Sequence, residues 1–251
     1  MDRSDTSPPT TMLRILASDF VFDFTRAPLA MLAAAVVLFL FIIAILAPLV
    51  APTNPFDPAS LNLMNGFTPP TTPNMFTGQS FVMGTDDQGR DLLSAIIYGL
   101  RVSLFVGVMS VLLAMGIGVS LGLVAGYVGG WLDNLIMRIA DIQLTFPSIL
   151  IAMLIFGVLR GIIPPDLRDE MAIFVLIAAI GLSEWVPFAR TVRATTLVEK
   201  EKEYVQAARL IGLRRGQIMW RHILPNVIGP VLVIATITLA LAIIGGEPRR
   251  F

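Results

Sequence analysis

The sequence contains no cysteine and a single histidine, His222. Without thiols, the chain has no disulfides, zinc–thiolate centres, iron–sulfur clusters or cysteine nucleophiles. Charged residues are also scarce, at 14% against roughly a quarter in soluble domains. Hydrophobic residues make up 55% of the chain and the net charge is zero. These values indicate a protein whose solvent is lipid, and nothing in them suggests a nucleic acid as partner.

Long apolar segments predict an all-α, polytopic bundle of transmembrane helices. About 20 mostly apolar residues are needed to cross a bilayer as a helix. Five candidate spans meet or approach that length: residues 29–50, 102–132, 142–159, 171–189 and 223–246. The first is too long for a signal-peptide core and has no cleavage site, so residues 29–51 are expected to remain as an anchor.

The distribution of basic residues predicts the orientation of these spans. Eight of the 18 lysines and arginines lie in residues 190–222, whereas residues 52–100 hold one arginine against four aspartates. Basic loops mark the cytoplasmic side. We therefore expect the N-terminal segment 1–28 and the loop 190–225 inside, and the loop 52–101 outside. Residues 102–246 would form the main membrane core.

The basic loop has the pattern of a helix–turn–helix. Three glutamates are expected in the first turn of a helix, where acids favour the dipole. Three residues spaced i, i+4, i+7 predict one apolar stripe. Gly212 stands where a left-handed C-cap is expected, and a second helix over 214–224 would stop at Pro225. The glutamates are Glu199, Glu201 and Glu203; the stripe is Tyr204, Ala208 and Ile211.

Two interpretations of this loop remain open. A loop that only follows the positive-inside rule would be solvated and would need just a few charges. The paired alanines and the placed glycine are more typical of a surface on which another protein packs.

The same loop resembles the cytoplasmic signature of bacterial ABC importer permeases, which reads E-A-A, three residues, Gly, nine residues, then I-x-L-P. The match covers Ala207, Ala208, Gly212, Leu224 and Pro225, and it departs at Gln206 and at His222. The form EYVQAARLIG…RHILPN is similar to the dipeptide/oligopeptide/nickel branch. The resemblance implies a type I importer permease fold with about five of the usual six spans. It also implies an ATPase-coupling loop at Gln206, Ala207, Ala208, Gly212, Arg214, Arg215, Leu224 and Pro225.

A second block, MGTDDQGRDLLSAIIYGLRVSL at 83–104, resembles the same branch and departs at Ala95. Two alternatives are open for its residues. They could contact substrate, or the glycines could make turns while Asp91 caps a helix and Arg90 pairs with Asp86. The block residues are Gly84, Thr85, Asp86, Gly89, Arg90 and Asp91. A third match, at 126–150, extends the resemblance over nearly the whole chain.

Within the predicted spans, four small residues recur every four positions: Ala114, Gly118, Gly122 and Gly126. Small residues at this spacing let helix backbones approach closely in a membrane, so we expect a tight contact within the subunit or with a partner permease. Glu184 interrupts the fourth span and either lines a translocation path or is wet at the inner interface. Pro187 is expected to kink this helix, and Arg138 is expected to pair with Asp141.

The sequence contains no G-x-x-x-x-G-K-[ST] phosphate loop. The resemblance therefore implies that two separate ABC ATPase subunits bind and hydrolyse ATP, and that this chain needs no cofactor. It also implies a second homologous permease, an extracytoplasmic solute-binding protein and a place in the bacterial inner membrane. Dipeptides, longer peptides, nickel and related solutes all remain open as cargo. A membrane-embedded enzyme is disfavoured, because no paired acid and base stand within the spans.

The last residues, GGEPRRF at 245–251, do not continue the fifth span. Gly-Gly-Glu-Pro is expected to end a helix, and an atypical tail at 247–251 would place two arginines outside. The expectation from the resemblance is a truncated product. The alternative function is then a non-transporting membrane fragment that still docks to partner subunits.

Overall fold

A computed structural model of the chain describes residues 24–57 and 61–245. Within these ranges the regular structure is helical, apart from an isolated antiparallel bridge between Thr85 and Asp91. The predicted all-α fold class is confirmed for this part of the chain. Most of segment 1–28 and the whole tail 247–251 lie outside the described residues. The chain divides into two units, Met1–Arg101 and Val102–Phe251.

The first unit contains the predicted anchor. Helix α1 spans Pro28–Ile45, begins with a proline in its first turn and carries no charge. Its side chains are largely exposed, Leu38 at 61%, as expected of a helix surrounded by lipid. A short helix α2, Ala47–Val50, follows a turn at Leu46. Pro48 explains the interruption, because it cannot donate a hydrogen bond back to Ala44.

The rest of the first unit is a loop held together by polar side chains. A 3₁₀ turn, Leu63–Asn65, is capped by the Asn62 side chain, which accepts from the Met64 N–H at 3.0 Å. The Thr85 hydroxyl accepts from the Thr68 N–H at 2.9 Å and donates to the Asn65 carbonyl. These bonds satisfy backbone groups that have no helix or sheet partner.

Helix α3, Leu92–Val128, begins in the first unit and ends in the second. Gly129 and Gly130 both have positive φ and turn the chain into α4, Gly130–Leu144. Helix α5, Ser148–Ile162, follows after a bend of 98°. The predicted span over 142–159 is therefore not one continuous helix, because residues 142–144 end α4 and α5 begins at Ser148. Pro147 disfavours helical backbone at the residue before it, and the chain restarts a helix in a new direction.

Helices α6 and α7 complete the predicted fourth span, and α10 the fifth. Helix α6 spans Arg168–Ser183 after a 3₁₀ turn at Pro165–Leu167, and it packs against α5. Helix α7 spans Trp185–Glu199 and is bent by 41° from α6. Helix α10 spans Leu224–Gly245 and packs along α7.

Three helices among the described residues are long and apolar enough to cross a membrane, or up to five if each bent pair counts as one span. This range agrees with the predicted count of five or fewer. Buried side chains from α3, α7 and α10 form the main core of the second unit. Its largest fully buried residue is Phe188 on α7, and α7 also supplies Trp185, Val186 and Ala189 to a second buried cluster.

Candidate functional site

The basic loop forms a compact unit that we call the basic hairpin, residues 199–226. It contains helix α8, Glu203–Leu210, and the short helix α9, Arg215–Gln217. A π-helical turn, Ile218–Ile223, leads from α9 directly into α10. The predicted helix–turn–helix is present, although several of its details differ from the sequence-based expectation.

Glu199 fixes the base of the hairpin. It is the last residue of α7 and only 6% exposed. Its carboxylate accepts hydrogen bonds from the Lys202 ammonium and the Tyr204 hydroxyl, both at 2.6 Å. The prediction that Glu199 and Glu201 begin the next helix is wrong, because only Glu203 lies in the first turn of α8. Glu199 instead holds the turn between two helices.

Tyr204 extends this contact to a third segment. Asn226, near the start of α10, donates from its side-chain amide to the Tyr204 hydroxyl and to the His222 carbonyl, each at 3.0 Å. Burial raises the pKa of Tyr204, and the hydrogen bond to Glu199 raises it further. The hydroxyl therefore stays protonated well above neutral pH. Through it the end of α7, the start of α8 and the start of α10 are joined.

Helix α8 presents one buried and one exposed face. Val205 and Ala208 are 0% and 3% exposed and belong to the main core. The predicted stripe of Tyr204, Ala208 and Ile211 is wrong at its end, because Ile211 is 75% exposed and lies past the helix. Leu210 is 88% exposed. The tip of the hairpin thus carries two large apolar side chains in solvent.

Gly212 turns the chain at this tip. Its φ is +82°, a left-handed value. The Gly212 N–H donates to the Arg209 carbonyl at 3.1 Å and the Leu213 N–H to the Ala208 carbonyl at 3.2 Å. This is the Schellman pattern expected of a glycine C-cap. A Cβ at this position would meet no atom within 4 Å.

The other predicted residues of the loop lie around this turn. Gln206 and Ala207 are exposed, and the Gln206 amide donates to the Glu201 carbonyl at 2.9 Å. Arg214 and Arg215 are exposed beside the tip. Leu224 and Pro225 begin α10, so the prediction that Pro225 stops the second helix is wrong. The wider π turn accommodates it, with the Leu224 N–H donating five residues back to Met219.

Two ion pairs tie α7 to α4 ahead of the hairpin. Arg193 contacts Asp133 through two bonds, with Nη2 2.7 Å from Oδ2. Arg190 pairs with Asp141. The expected pair between Arg138 and Asp141 is therefore wrong. Helix α4 packs against α7, which brings Arg190 to Asp141, whereas Arg138 is exposed.

The small-residue face of α3 also lies against α7. A Cβ on Gly118 would stand 2.5 Å from the Phe188 Cβ, and one on Gly122 would stand 2.4 Å from the Ala189 carbonyl oxygen. A Cβ on Gly126 would stand 2.8 Å from the Thr196 Cβ, and Ala114 is fully buried. The sequence left the partner of this face open. The structure places that partner within the subunit, on the helix that leads to the basic hairpin.

The block at residues 83–104 uses its polar side chains for bonds within the loop. Asp91 accepts from the Ser94 N–H at 3.0 Å and caps α3. Asp86 accepts from the Arg90 and Gln88 backbone N–H groups, each at 2.9 Å. The expected ion pair between Arg90 and Asp86 is absent from the described residues. Gly84 and Gly89 have left-handed φ values of +79° and +77°. The Thr85 hydroxyl bonds to the backbone of Thr68 and Asn65. These contacts favour the turn-and-cap interpretation.

Glu184 lies at the junction of α6 and α7 and is half-buried. The bend falls here because Pro187 cannot donate to the Ser183 carbonyl, its partner four residues earlier. The predicted kink near Pro187 is thus confirmed. The Gln143 amide donates to this freed carbonyl at 2.8 Å and accepts from the Trp185 indole N–H at 2.8 Å.

Several residues of these sites escape sequence reasoning. Gln143 and Asn226 act across long sequence separations, and no local pattern identifies them. The sequence places the Tyr204 hydroxyl close to an acidic run, which is a weak signal for a hydrogen bond. Its partners Glu199 and Asn226 cannot be predicted, because they depend on how α8 packs against α7 and α10. No group of three or more metal-ligating side chains occurs among the residues placed by the structure.

Two family models match the chain. Residues 118–246 match the model of the binding-protein-dependent transport system inner membrane component. Residues 16–70 match the N-terminal TM domain of oligopeptide transport permease C. The two matches together include the anchor, the three glycines of the small-residue face and the basic hairpin.

Curated relatives agree with these models. The chain is 38% identical to the dipeptide transport system permease protein DppC of Alkalihalophilus pseudofirmus over 84% of its length and 62% of that protein. It is 35% identical to DppC of Haemophilus influenzae over 96% of its length and 77% of the relative. Against the oligopeptide transport system permease protein OppC of Bacillus subtilis, identity is 34% over 91% of the chain and 68% of the relative. The matched part thus spans about three fifths to three quarters of these proteins.

Proposed function

Because the chain belongs to the family of binding-protein-dependent transport system inner membrane components, we propose that it carries solute across the bacterial inner membrane as the permease subunit of an ATP-driven importer. The relatives are named for transport of dipeptides, oligopeptides and glutathione. We assign the same broad class, peptides and related small solutes, to this chain.

The basic hairpin is the observation that carries the proposal. Its tip exposes Leu210 and Ile211, while its base is buried and hydrogen-bonded. Apolar side chains held in solvent by a rigid turn are typical of a docking surface. We assign this tip to the groove of a separate ATPase subunit. Arg209, Arg214 and Arg215 surround it and favour an acidic rim on that partner.

The hairpin also has the contacts needed to transmit movement. A displacement of α8 acts on Tyr204, and through its hydroxyl on Glu199 at the end of α7 and Asn226 at the start of α10. Both helices continue into the apolar part of the second unit. Closure of the ATPases around ATP would therefore tilt α7 and α10 together, which is the rocking motion that alternating access requires.

The proposal includes the remaining partners and the orientation. The basic hairpin and the N-terminus are assigned to the cytoplasm by the positive-inside rule. Two ATPase subunits bind and hydrolyse ATP there, and a second homologous permease completes the membrane pathway. An extracytoplasmic binding protein delivers solute to the side of loop 52–101. This chain itself is assigned no cofactor and no nucleic acid partner.

Reconstitution of the chain with its partner subunits in liposomes tests this function. We expect ATP hydrolysis to rise when solute-loaded binding protein is added, and solute to accumulate in the liposomes. Gly212→Val should leave the complex assembled but reduce uptake about tenfold or more, because the strained turn misplaces the tip. Gly216 has ordinary helical backbone and free space around it. Gly216→Ala is therefore the matched control and should transport normally.

Two results would count against the proposal. Unchanged uptake by Gly212→Val would remove the hairpin from the coupling route. A complex that assembles but shows no solute-stimulated hydrolysis with the original sequence would support the docking-only alternative instead.

A further inference from the structure

The junction of α6 and α7 opens onto a cavity of about 300 Å³. Helices α5, α6 and α10 line it, with apolar contributions that include Ile149, Ile180 and Leu241. Its polar lining comes from Ser148, Ser183 and Glu184. A largely apolar space with a few converging polar groups is the usual form of a small-molecule site.

The carboxylate of Glu184 has no protein partner. Among the residues that the structure places, no ion pair or hydrogen bond involves this side chain. By contrast, Asp133 and Asp141 on α4 and Glu199 at the end of α7 each contact a cationic side chain. An ionised group at a half-buried position is costly unless water or a ligand meets it.

The local fold does not require this carboxylate. Glu184 is the N-cap residue of α7, yet its side chain accepts no hydrogen bond from the helix. The carbonyl freed by Pro187 is satisfied by Gln143. No contact among the described residues of the second unit therefore gives this charge a structural role.

Glu184 lies within the predicted fourth span, toward its inner end. It stands five residues before the end of that span, 171–189, and six residues before the exposed Arg190, roughly 9 Å along a helix at 1.5 Å per residue. Acids within membrane-spanning segments generally face a bundle interior or a water-filled cavity and mark substrate or ion pathways.

We propose that this cavity is a solute-binding station of the translocation path, in which Glu184 binds a primary ammonium group, that of the amino terminus of a peptide. The inference rests on the proposed function. A single anionic group fits a cation by charge, and the apolar lining accepts side chains of different shapes without discriminating strongly among them. Glu184 thereby adds a solute contact to a path otherwise lined by small and apolar residues.

The absence of cysteine makes a direct test possible. Ser148→Cys places a thiol at the cavity beside Glu184, in an assembled importer whose partners also lack cysteine. Its labelling rate is measured with two methanethiosulfonate reagents of similar size, one carrying a quaternary ammonium and one a sulfonate. We expect the cationic reagent to react at least about fivefold faster, because attraction of unit charges about 4 Å apart in water gives this factor alone and repulsion of the sulfonate adds to it. Adding Glu184→Gln should bring the two rates close together.

A second readout uses a dipeptide at saturating concentration, delivered by the binding protein. It should slow labelling of Ser148→Cys when Glu184 is present and protect much less in the Glu184→Gln background. Equal rates for the two reagents with Glu184 in place would overturn the proposal, as would a thiol that neither reagent reaches in any nucleotide state. The rate ratio does not depend on uptake, so failure of this inference is distinguishable from failure of the transport function.

Discussion

Glycines in the loop 52–101, called the outer loop after its proposed orientation, and in the basic hairpin share a backbone conformation but differ in what surrounds them. Gly84, Gly89 and Gly212 all have φ near +80°. A Cβ on Gly89 would stand 2.1 Å from the Asn62 carbonyl oxygen, and one on Gly84 would stand 2.6 Å from that of Thr68. Around Gly212 there is nothing within 4 Å.

Under the proposed function, this difference separates a turn that shapes its own fold from a turn that presents a docking surface. The outer glycines are enclosed by the loop they shape, and the neighbouring polar side chains bond within that loop. The hairpin glycine shapes an exposed tip whose apolar residues have no partner in the described part of the chain. Substitutions should therefore damage folding in the first region and coupling in the second.

The largest stability loss is expected for Gly89→Ala. The variant combines a left-handed φ with a collision against backbone, and we expect a loss of about 3 kcal/mol or more in the free energy of unfolding. Thermal unfolding of the detergent-solubilised protein measures it. Gly78 has a similar φ and open space around it. Gly78→Ala should therefore lose only the free energy that the left-handed backbone costs an alanine. Equal losses for the two variants would contradict the enclosed-turn account.

Gly118→Ala extends the comparison to helical backbone. The added methyl would stand 2.5 Å from the Phe188 Cβ and from the Trp185 carbonyl oxygen. We expect a destabilisation of about 2 kcal/mol from overpacking between α3 and α7. Gly116 lies about half a helical turn away and has free space around it. Gly116→Ala should therefore be neutral or stabilising by about 0.5–1 kcal/mol. A neutral Gly118→Ala would mean that α3 and α7 are not in close contact.

Tyr204→Phe removes the hydroxyl at the base of the hairpin and leaves the tip unchanged. The loss of a hydrogen bond to a buried carboxylate should cost about 1.5 kcal/mol. We expect ATPase subunits still to bind, with solute-stimulated hydrolysis reduced more than basal hydrolysis. His222→Gln, which leaves the backbone carbonyl that Asn226 contacts, is a control. Full stimulation in Tyr204→Phe would show that this hydroxyl does not transmit movement.

The smallest stability effect is expected for Gly212→Ala. Only the left-handed backbone disfavours the methyl, so we expect a loss of about 1 kcal/mol, with unfolding temperature measured against Gly216→Ala. A much larger loss would show that the tip is enclosed by its own chain, and the contrast with Gly89 would disappear.

The glycines and the first span could be predicted from sequence because their causes are local. A left-handed turn requires glycine wherever the chain folds back, and the predicted C-cap at Gly212 is confirmed. The uncharged run that forms α1 contains no pattern that predicts a structure other than a membrane-spanning helix. The cap at Asp91 likewise depends only on the residue three positions later.

Other features depended on contacts that a single sequence does not display. Pro225 was expected to stop a helix, but a π turn carries the chain through it. Asp141 has a nearby arginine on its own helix, yet packing brings it to Arg190 on α7. On α8 the buried residues are Val205 and Ala208 rather than the full predicted stripe, because α8 packs against the π turn 218–223 and the main core.

The most direct test of the central claim is a photo-crosslinking experiment in intact cells. A photoreactive amino acid is placed at Leu210, 88% exposed on the hairpin tip, or at Leu63, 77% exposed on the outer loop. We predict a covalent adduct between the ATPase subunit and the chain modified at Leu210, and none from Leu63. An ATPase adduct from Leu63, or adducts from Leu210 only with extracytoplasmic proteins, would contradict the assignment of the basic hairpin as the ATPase contact.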